Sequence, residues 1–223
     1  MQPRSAAERR EDLVALYQRA SGCVLCPLHE GRTKVVFGNG NADADLMFVG
    51  EAPGHHEDLQ GLPFVGRAGN LLGRLLEEVG LERGDVWVCN VLKCRPPGNR
   101  DPQPEEIETC KPYLHAQIEL IEPRVICTLG NFATKLLTRS SRGISGVHGR
   151  PQVHELGGST VRVYPLFHPA AALRTPKVLA ELREDFSRLP ALLEEPPPVP
   201  IGAVAPAAVA PVEEAASQMD LFG

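Results

Sequence analysis

The sequence predicts an α/β protein with three α/β/α layers around a central, mostly parallel sheet. Short apolar runs of strand length alternate with segments of helical period through most of the chain, which is the pattern of strands joined by crossover helices. The chain has 223 residues, of which 43% are hydrophobic, so it can bury one substantial core. We therefore expect a single folded domain over residues 1–193.

The strands are predicted where apolar runs are bounded by turn residues. They cover residues 45–49, 85–92 and 124–129, followed by a hairpin of 152–156 and 161–167. Helices are predicted where apolar residues recur at near-helical spacing or where Pro and acidic residues open a segment. They cover residues 4–20, 69–79, 104–121, 130–137 and 177–193. Residues 38–41 and 93–100 are rich in Gly or Pro and are predicted to be loops.

Charge and hydropathy exclude few functions. The net charge is −5, but five of the 28 acidic and none of the 23 basic residues lie in residues 194–223, so residues 1–193 are neutral overall. This charge neither supports nor excludes a nucleic-acid partner. No apolar run approaches the roughly 18 residues of a membrane span, and residues 1–12 lack the apolar core of a signal peptide. We expect a cytoplasmic protein that is not bound to a membrane.

The composition changes after residue 193. Residues 196–212 consist almost wholly of Pro, Ala, Val and Gly without a period, which is typical of an extended linker. We expect residues 194–217 to be a disordered Pro/Ala-rich linker and residues 218–222 to be a separate recognition peptide. The alternative is a frayed tail with two chance apolar residues.

Residues 46–66 contain the candidate binding crevice. An apolar run ends in Gly50-Glu51-Ala52-Pro53-Gly54, where the glycines and the proline permit a sharp turn and a close approach of backbone to ligand. The carboxylate of Glu57 and the ring of Phe64 follow. Because ligands of open α/β sheets bind beyond the carboxyl ends of strands, we predict a crevice here. The stretch taken alone also fits a strand followed by a solvated loop.

Four of the six cysteines are candidate metal ligands. They are Cys23 and Cys26 in a Cys-x-x-Cys turn, Cys94 in a Pro-rich loop and Cys110 in a helix. Four thiolates are the number that zinc or an iron–sulfur cluster needs, and the spacing does not separate the two. An unligated thiol is the alternative for Cys110. Cys89 and Cys127 lie inside apolar strands and are predicted to be core residues.

Several short motifs follow one another in a specific order and spacing. They are Cys23-x-x-Cys26, Glu30-Gly31-Arg32-Thr33, Val36-Phe37-Gly38, Gly50-Glu51-Ala52-Pro53-Gly54 with Glu57-Asp58, Pro63-Phe64-Val65-Gly66, Asn90-x-x-Lys93-Cys94-Arg95-Pro96-Pro97, Cys110 and His168-Pro169-Ala170. Together they resemble the family 4 uracil-DNA glycosylases, the iron–sulfur type of bacteria and archaea. The resemblance covers about residues 20–189.

The resemblance implies a monofunctional enzyme that flips uracil out of DNA, hydrolyses its N-glycosidic bond and leaves an abasic site, which initiates base excision repair. It implies that Asn90 reads N3 and O4 of uracil, that Phe64 stacks on the base and that His168 stabilises the leaving anion at O2. The implied catalytic residues are Glu51, Asn90 and His168. The implied uracil-binding residues are Gly50, Glu51, Ala52, Glu57, Phe64, Asn90 and His168.

The group that activates water stays open at this stage. Ala52 stands where the family 1 enzymes carry an aspartate, and an alanine cannot act as a general base. Glu51, backbone carbonyls or the field of the uracil anion remain as the alternatives. Glu57 is expected to wall the pocket against the methyl group of thymine.

The resemblance also implies a cofactor and partners. It implies a mainly structural 4Fe-4S cluster on Cys23, Cys26, Cys94 and Cys110. The candidate DNA contacts are Lys93, Arg95, Arg100, Arg142, Arg150 and Arg174, with Leu173 as the wedge that fills the gap left by the flipped base. The terminal Gln218-Met219-Asp220-Leu221-Phe222 resembles the peptide that binds the bacterial sliding clamp, with Gln218, Leu221 and Phe222 as anchors. We expect a monomer at the bacterial nucleoid.

Two other classes of function fit parts of the sequence. One is a non-catalytic nucleic-acid-binding protein on the same scaffold, and the other is a zinc-stabilised hydrolase of small nucleotides. The complete set of Glu51, Phe64, Asn90 and His168 favours the glycosylase, because a scaffold alone does not need all four. A colourless purified protein would favour the zinc hydrolase.

Overall fold

Six strands form a mixed sheet in the computed structural model, which describes residues 4–199. In chain order they are β1 (Asn39–Gly40), β2 (Leu46–Gly50), β3 (Trp87–Asn90), β4 (Val125–Leu129), β5 (Gln152–Leu156) and β6 (Ser159–Leu166). Their spatial order is β1-β3-β2-β4-β6-β5. The four central strands are parallel to their neighbours, whereas β1 and β5 pair antiparallel at the edges. The mostly parallel sheet that the alternating pattern predicts is confirmed.

Helices connect the strands and cover the sheet. They are α1 (Ala6–Ser21), α2 (Leu28–Gly31), α3 (His55–Gln60), α4 (Arg67–Glu77), α5 (Pro104–Ile121), α6 (Asn131–Thr138), α7 (Pro169–Ala172), α8 (Pro176–Ser187) and α9 (Leu189–Glu194). Short 3-10 turns occupy Pro97–Asn99 and Ile144–Gly146. Within residues 4–199, none of the helices has the length and apolar character needed to cross a membrane.

Successive side chains of each strand point to opposite faces of the sheet and build two cores. In β2, Met47 and Val49 pack with residues of α1, α5 and α6, whereas Leu46 and Phe48 pack with residues of α4, α8 and α9. All five residues of β2 are buried, as in a strand that is covered on both sides. The two cores give the three layers that the sequence predicts.

Local sequence fixes the ends of two of the helices. At the start of α1, the Ser5 hydroxyl accepts the amide of Glu8 at 3.3 Å, and the Glu8 carboxylate accepts the amide of Ser5 at 2.7 Å. This reciprocal pair satisfies two amide groups that the helix itself leaves free. Helix α5 begins at Pro104, where a missing N–H costs no hydrogen bond. Its bounds agree with the predicted residues 104–121.

Three local elements differ from the expectation. The predicted helix 177–193 is divided into α8 and α9, and Pro190 lies in the first turn of α9, where proline is tolerated. Residues 55–60, for which the sequence predicted no helix, form α3, and this helix ends at Gly61 with φ of +77°. Residues 39–40, predicted as part of a loop, pair with the edge of β3.

The two cysteines predicted to be core residues are buried. Cys89 lies in β3 and Cys127 in β4, and both are 0% exposed. Burial raises the pKa of both thiols, so each side chain stays neutral and packs as a small apolar group. The prediction that these two residues belong to the core is confirmed.

Candidate active site

The ends of three strands bring the candidate residues to one edge of the sheet. Gly50 ends β2 and Asn90 ends β3, and the two residues are partners in register. His168 lies two residues after the end of β6. The amide of Val91 donates to the carbonyl of Gly50 at 2.9 Å, so the chain that leaves β3 stays joined to the turn after β2. A crevice beyond the strand ends is therefore present, as the sequence predicts.

Gly50 is required by the space around it. A Cβ atom on Gly50 would lie 2.3 Å from Oδ1 of Asn90 and 2.8 Å from ring atom Cζ of Phe64. Both distances are shorter than carbon contacts in folded proteins allow. The absence of a side chain at Gly50 thus permits the buried amide and the aromatic ring to approach the same turn.

Phe64 is held in an uncommon backbone conformation. Its φ is +54°, in the left-handed region that costs a residue with a side chain about 1–3 kcal/mol. A Cβ on Gly69 would lie 1.6 Å from the carbonyl oxygen of Phe64, so α4 packs directly against this carbonyl. The Phe64 ring is 5.8 Å from the ring of His168, with 31° between the planes. The packing therefore presents the ring beside His168.

His168 begins α7 and has a defined tautomer. Its Nδ1 accepts a hydrogen bond from the amide of Ala170 at 3.1 Å. A ring nitrogen that accepts from an amide carries no proton, so Nε2 carries the proton and is the donor of the neutral ring. Burial lowers the pKa of His168 to about 4, although the charge of Glu57 acts in the opposite direction. His168 is consequently a neutral N–H donor at pH 7.

Two carboxylates contribute negative charge to the same region. Burial raises the pKa of Glu51, and the charge of Asp101 adds to this effect. Glu57 belongs to α3, and its Oε2 approaches the turn so closely that a Cβ on Gly54 would lie 2.6 Å from it. The glycine therefore leaves room for this carboxylate. Ala52, between the two, has no group that exchanges a proton.

These side chains line one cleft with a volume of about 370 Å³. Its lining residues are Glu51, Ala52, Pro53, Gly54, Glu57, Phe64, Ala68, Asn90, Pro96, Asn99, Arg100, His168 and Ala170. Six of the seven predicted uracil-binding residues are among them, and the seventh, Gly50, contacts two of the six. The structure thus brings the whole predicted set together. Pro96 and Asn99 were not predicted as cleft residues, although their Pro-Pro-Gly-Asn turn follows Asn90 closely in sequence.

Lys93 lies in a different place from the predicted one. The sequence predicts a phosphate contact, but the side chain is 2% exposed. Its Nζ donates to the carbonyl of Asn90 at 2.7 Å and to Oε1 of Gln117 at 2.6 Å. The prediction of a DNA contact is wrong in this structure, because the ammonium group is buried and its donors are used inside the protein.

Two arginines near the mouth of the cleft already have partners. Arg100 lines the cleft and forms two hydrogen bonds with the buried carboxylate of Glu106, at 2.9 and 2.5 Å. The Nε of Arg95 donates to Asn99 at 2.6 Å, and its guanidinium lies 3.2 Å from Nδ1 of His55. These contacts hold the Pro-rich loop after β3 in place.

The remaining predicted DNA contacts lie on two other loops. Arg142 and Arg150 are exposed in the loop between α6 and β5, and Arg174 is exposed after α7. Leu173, the predicted wedge, is partly buried and packs against the core on the α4 and α8 side of the sheet. Its role as a wedge stays a prediction.

The four candidate ligand cysteines line one cavity. Cys23 and Cys26 lie between α1 and α2, Cys94 follows β3 and Cys110 belongs to α5. Burial raises the pKa of the Cys94 thiol and raises that of Cys110 to about 11. The structure therefore brings together four thiols from three segments that are far apart in sequence.

Two cations beside this cavity make it suited to ionised thiols. Among residues 4–199, no set of three or more His, Cys, Asp or Glu side chains is placed to hold a single metal ion. The guanidinium of Arg32 donates to Sγ of Cys94 at 3.4 Å, and Lys93 also lines the cavity. Both cations would stabilise thiolates that share an anionic cluster.

A hydrogen-bonded pair near the cleft, His148 and Asp185, was not predicted from the sequence. Nδ1 of His148 lies 2.7 Å from Oδ2 of the buried Asp185 on α8. The His148 ring is also 4.3 Å from the ring of Phe167, the residue before His168. The candidate DNA contacts Arg142 and Arg150 belong to the same loop as His148, but no sequence motif links His148 to Asp185. Only the packing of α8 against the sheet brings these residues together.

A family model describes most of this chain. The model of the uracil DNA glycosylase superfamily matches residues 37–189. The matched region includes the cleft residues from Glu51 to His168 and the second pair of cavity cysteines. It therefore covers the site that the geometry identifies.

Several curated proteins are similar along most of their length. A type-4 uracil-DNA glycosylase of Thermotoga maritima is 50% identical over 167 residues, which cover 74% of this chain and 85% of that protein. The type-4 uracil-DNA glycosylase of Archaeoglobus fulgidus is 46% identical and covers 80% and 92% of the two chains. That of Saccharolobus solfataricus is 44% identical, with 83% and 88% covered.

Proposed function

The chain belongs to the type-4 uracil-DNA glycosylases of the uracil DNA glycosylase superfamily, and we propose that it hydrolyses the N-glycosidic bond of uracil in DNA at the described cleft. The product is an abasic site, formed without a lyase step. The observation that carries this proposal is the convergence of a buried amide, an aromatic ring, a neutral imidazole and a carboxylate on one cleft. A non-catalytic scaffold would not need these four groups together.

Recognition of the base is assigned to Asn90 and Phe64. The Asn90 amide is 2% exposed, so its donor and acceptor are shielded from water and distinguish the N3–H and O4 of uracil from the reversed pattern of cytosine. Phe64 offers a ring on which an extruded base stacks. The close contact of both side chains with Gly50 fixes the amide relative to the ring.

Stabilisation of the leaving group is assigned to His168. Cleavage of the bond between N1 and the sugar leaves negative charge on uracil, and a fixed donor near O2 lowers the barrier most when it is shielded from water. The hydrogen bond from Ala170 to Nδ1 keeps the proton on Nε2. The lowered pKa of His168 means that the ring acts as a neutral donor and needs no added proton at pH 7.

The attacking water is assigned to the turn after β2. Ala52 cannot take a proton, whereas Glu51 lines the cleft beside it. The carbonyl of Glu51 accepts the Leu92 amide at 3.0 Å, and the carboxylate is the group of this residue that can take a proton from a water. Burial raises the pKa of Glu51, which makes it a stronger base than an ordinary carboxylate once it is ionised. Glu57 forms a further wall of the cleft and is assigned to exclude the thymine methyl.

DNA is proposed to bind across the loops around the cleft. Arg142, Arg150 and Arg174 are exposed and are assigned to phosphate contacts, together with Arg95 after its present contacts rearrange. Leu173 is assigned to the space that the flipped base vacates. This step requires that Leu173 leaves its partly buried position against the core.

The cysteine cavity is assigned to a 4Fe-4S cluster held by Cys23, Cys26, Cys94 and Cys110. When bound, this group supplies structural cross-links between segments that are distant in sequence. The thiols tie the turn after α1 to α5 and to the loop after β3. That loop begins at Val91, next to the base-reading Asn90, so the same segment contributes to both sites.

Residues 218–222 lie outside the described residues, and their role is also a proposal. We assign Gln218, Leu221 and Phe222 to the hydrophobic groove of a bacterial sliding clamp. A linker over residues 194–217 reaches up to roughly 3 Å per residue, so a clamp-bound monomer would still search nearby DNA. The catalytic domain is assigned to residues 1–193.

The activity is tested with a labelled duplex that contains one U·G pair, followed by treatment with alkali. The expected result is a single break at the uracil and none in the matched T·G duplex, measured with brown, iron-loaded protein. Intact U·G DNA with the iron-loaded protein would contradict the proposed activity. A colourless preparation that cuts the same duplex would contradict the cluster assignment and leave the activity in place.

A further inference from the structure

Lys93 occupies a position between the cysteine cavity and the base-reading residue. It lies three positions after Asn90, and its Nζ donates to the carbonyl of Asn90 at 2.7 Å. Its side chain also lines the cavity of the four cysteines. Its own amide donates to Sγ of Cys110 at 3.3 Å. One residue therefore contacts both the end of β3 and a proposed cluster ligand.

A second contact joins Lys93 to α5, the helix that carries Cys110. Its Nζ donates to Oε1 of Gln117 at 2.6 Å, and Nε2 of Gln117 donates to the carbonyl of Phe37 at 2.9 Å. Gln117 and Cys110 both belong to α5. Gln117 is 0% exposed, so water does not replace these bonds. The ammonium thus connects α5 to the carbonyl of Asn90.

The charge of Lys93 lacks a carboxylate partner in this structure. Buried lysines are normally paired with an acidic group, but both oxygen acceptors of this ammonium are uncharged. No ion pair between Lys93 and a carboxylate of residues 4–199 is present within 4.0 Å. Lys93 lines the cavity of the four thiols, so an anionic group held by them would bring negative charge close to this residue.

We propose that Lys93 is a positioning residue that couples the contents of the cysteine cavity to the placement of Asn90. The proposal rests on the proposed glycosylase function and adds a route by which the cavity affects recognition of the base. The negative charge of a cluster bound by the four thiols would favour the buried position of the ammonium, and the ammonium donates to the carbonyl of Asn90. Lys93 touches neither the base nor the reacting bond in this scheme.

A double-mutant cycle tests whether Lys93 acts through Asn90. The variants are Lys93→Met, Asn90→Ala and the double variant, assayed as kcat/KM on the U·G duplex, with Lys135→Met as the control at an exposed lysine. Lys93→Met is expected to lower kcat/KM about 10- to 100-fold, which is the range for a lost buried hydrogen bond to a charged group. In the Asn90→Ala background the same substitution is expected to have less than about threefold effect, because contacting residues are not additive.

A second double-mutant cycle, which combines Lys93→Met with His168→Ala, is compared with the first. Lys93→Met is expected to keep its full effect in that background, since His168 lies at the end of a different strand. Equal effects of Lys93→Met in the wild-type and Asn90→Ala backgrounds would overturn the proposal. If Lys93→Met fails to fold, Gln117→Leu removes one acceptor of the ammonium and is expected to show the same coupling to Asn90→Ala.

Iron retention gives a readout that does not depend on catalysis. Loss of iron to a chelator is expected to be about 10-fold faster in Lys93→Met than in Lys135→Met, as for other residues that support metal ligands. Equal rates would overturn the part of the proposal that concerns the cavity. Failure of the wild-type protein to remove uracil would instead refute the proposed function, so the two failures are distinguishable.

Discussion

Asn90 and His168 face the same cleft, but different interactions hold them. Asn90 is 2% exposed at the end of β3, and its carbonyl accepts the buried ammonium of Lys93. His168 is partly buried, and its Nδ1 accepts the amide of Ala170, two residues further along the chain. The amide is therefore placed by a network that reaches α5 and the cysteine cavity, whereas the imidazole is placed by its own helical turn.

This difference in how the two side chains are held agrees with their proposed tasks, which are base recognition for Asn90 and stabilisation of the leaving group for His168. A group that reads a base must keep its donor and its acceptor in fixed positions relative to a stacked ring, which favours a rigid, buried network. A group that stabilises developing charge needs one N–H in the correct tautomer and little surrounding water. We therefore expect substitutions on the β3 side to weaken recognition, and substitutions at His168 to slow the chemical step.

The largest expected effect belongs to His168→Ala. Loss of one fixed donor to a developing anion typically costs 10²- to 10³-fold in kcat, and we expect a fall in single-turnover base release of about that size. Binding to a duplex that already contains an abasic site is expected to stay within about threefold of wild type, since no base is present to contact the ring. His154→Ala, on edge strand β5, is the control. Unchanged base release would contradict the role assigned to His168.

The second largest effect is expected for Gly50→Ala, which disturbs the side of the cleft that carries Asn90. The added methyl group would lie 2.3 Å from the Asn90 side chain and 2.8 Å from Phe64, so one of them must move. Such overpacking costs about 1–3 kcal/mol, which corresponds to a fall in kcat/KM of about 5- to 150-fold. Both Gly50→Ala and Asn90→Ala are assayed on the U·G duplex. The loss of kcat/KM in Asn90→Ala is the reference for lost recognition of the base.

Gly73→Ala is the matched control for this substitution. Gly73 lies inside α4, and no atom beyond its chain neighbours and the backbone of its own helix lies within 4 Å of the position that its Cβ would take. Activity is expected to be unchanged, and stability is expected to rise by about 0.5–1 kcal/mol because alanine favours a helix over glycine. If Gly50→Ala were as active as Gly73→Ala, the close fit of Asn90 and Phe64 would not matter for recognition.

The strands and the cleft follow from local patterns, whereas the supports behind the cleft do not. The apolar runs that end in Gly50, Asn90 and near His168 predict strand ends at one edge of the sheet, and the motif residues gather there as expected. Lys93 stands at the start of a Pro-rich segment, two residues before Arg95, so its sequence context predicts an exposed cation. Its burial depends on Gln117, which is 24 residues away and acquires this role only when α5 packs.

Asp185→Asn tests the support behind His168. Asp185 is buried and bonds to His148, whose ring packs on Phe167, the residue before His168. The amide keeps the shape but weakens the hydrogen bond, so we expect the free energy of unfolding to fall by about 1–3 kcal/mol. Base release is expected to fall by less than about 10-fold. Urea denaturation and single-turnover assays measure the two effects.

Glu184→Gln supplies the control for Asp185→Asn. Glu184 precedes Asp185 in α8 and forms an exposed ion pair with Arg188, and exposed pairs contribute at most about 1 kcal/mol. We expect a small change in stability and no change in activity. A larger loss in Glu184→Gln than in Asp185→Asn would show that the His148–Asp185 pair is not what holds this loop.

The smallest expected effect is on the pH dependence of stability. It is expected for the His168 side of the cleft and not for the Asn90 side. Burial lowers the pKa of His168 to about 4 from its ordinary value of 6.5. Between these two pH values the unfolded chain binds a proton that the folded protein does not, so this contribution makes stability fall as the pH falls through that window and leaves it constant above pH 6.5. His168→Gln removes the titrating ring, so its loss of stability from pH 7 to pH 5 in urea denaturation is expected to be about 1–2 kcal/mol smaller than that of wild type. Asn90→Ala has no such group and is expected to lose as much as wild type. Equal losses in all three proteins would mean that His168 is solvated enough to titrate normally, and its role as a neutral donor in a water-poor site would then be lost.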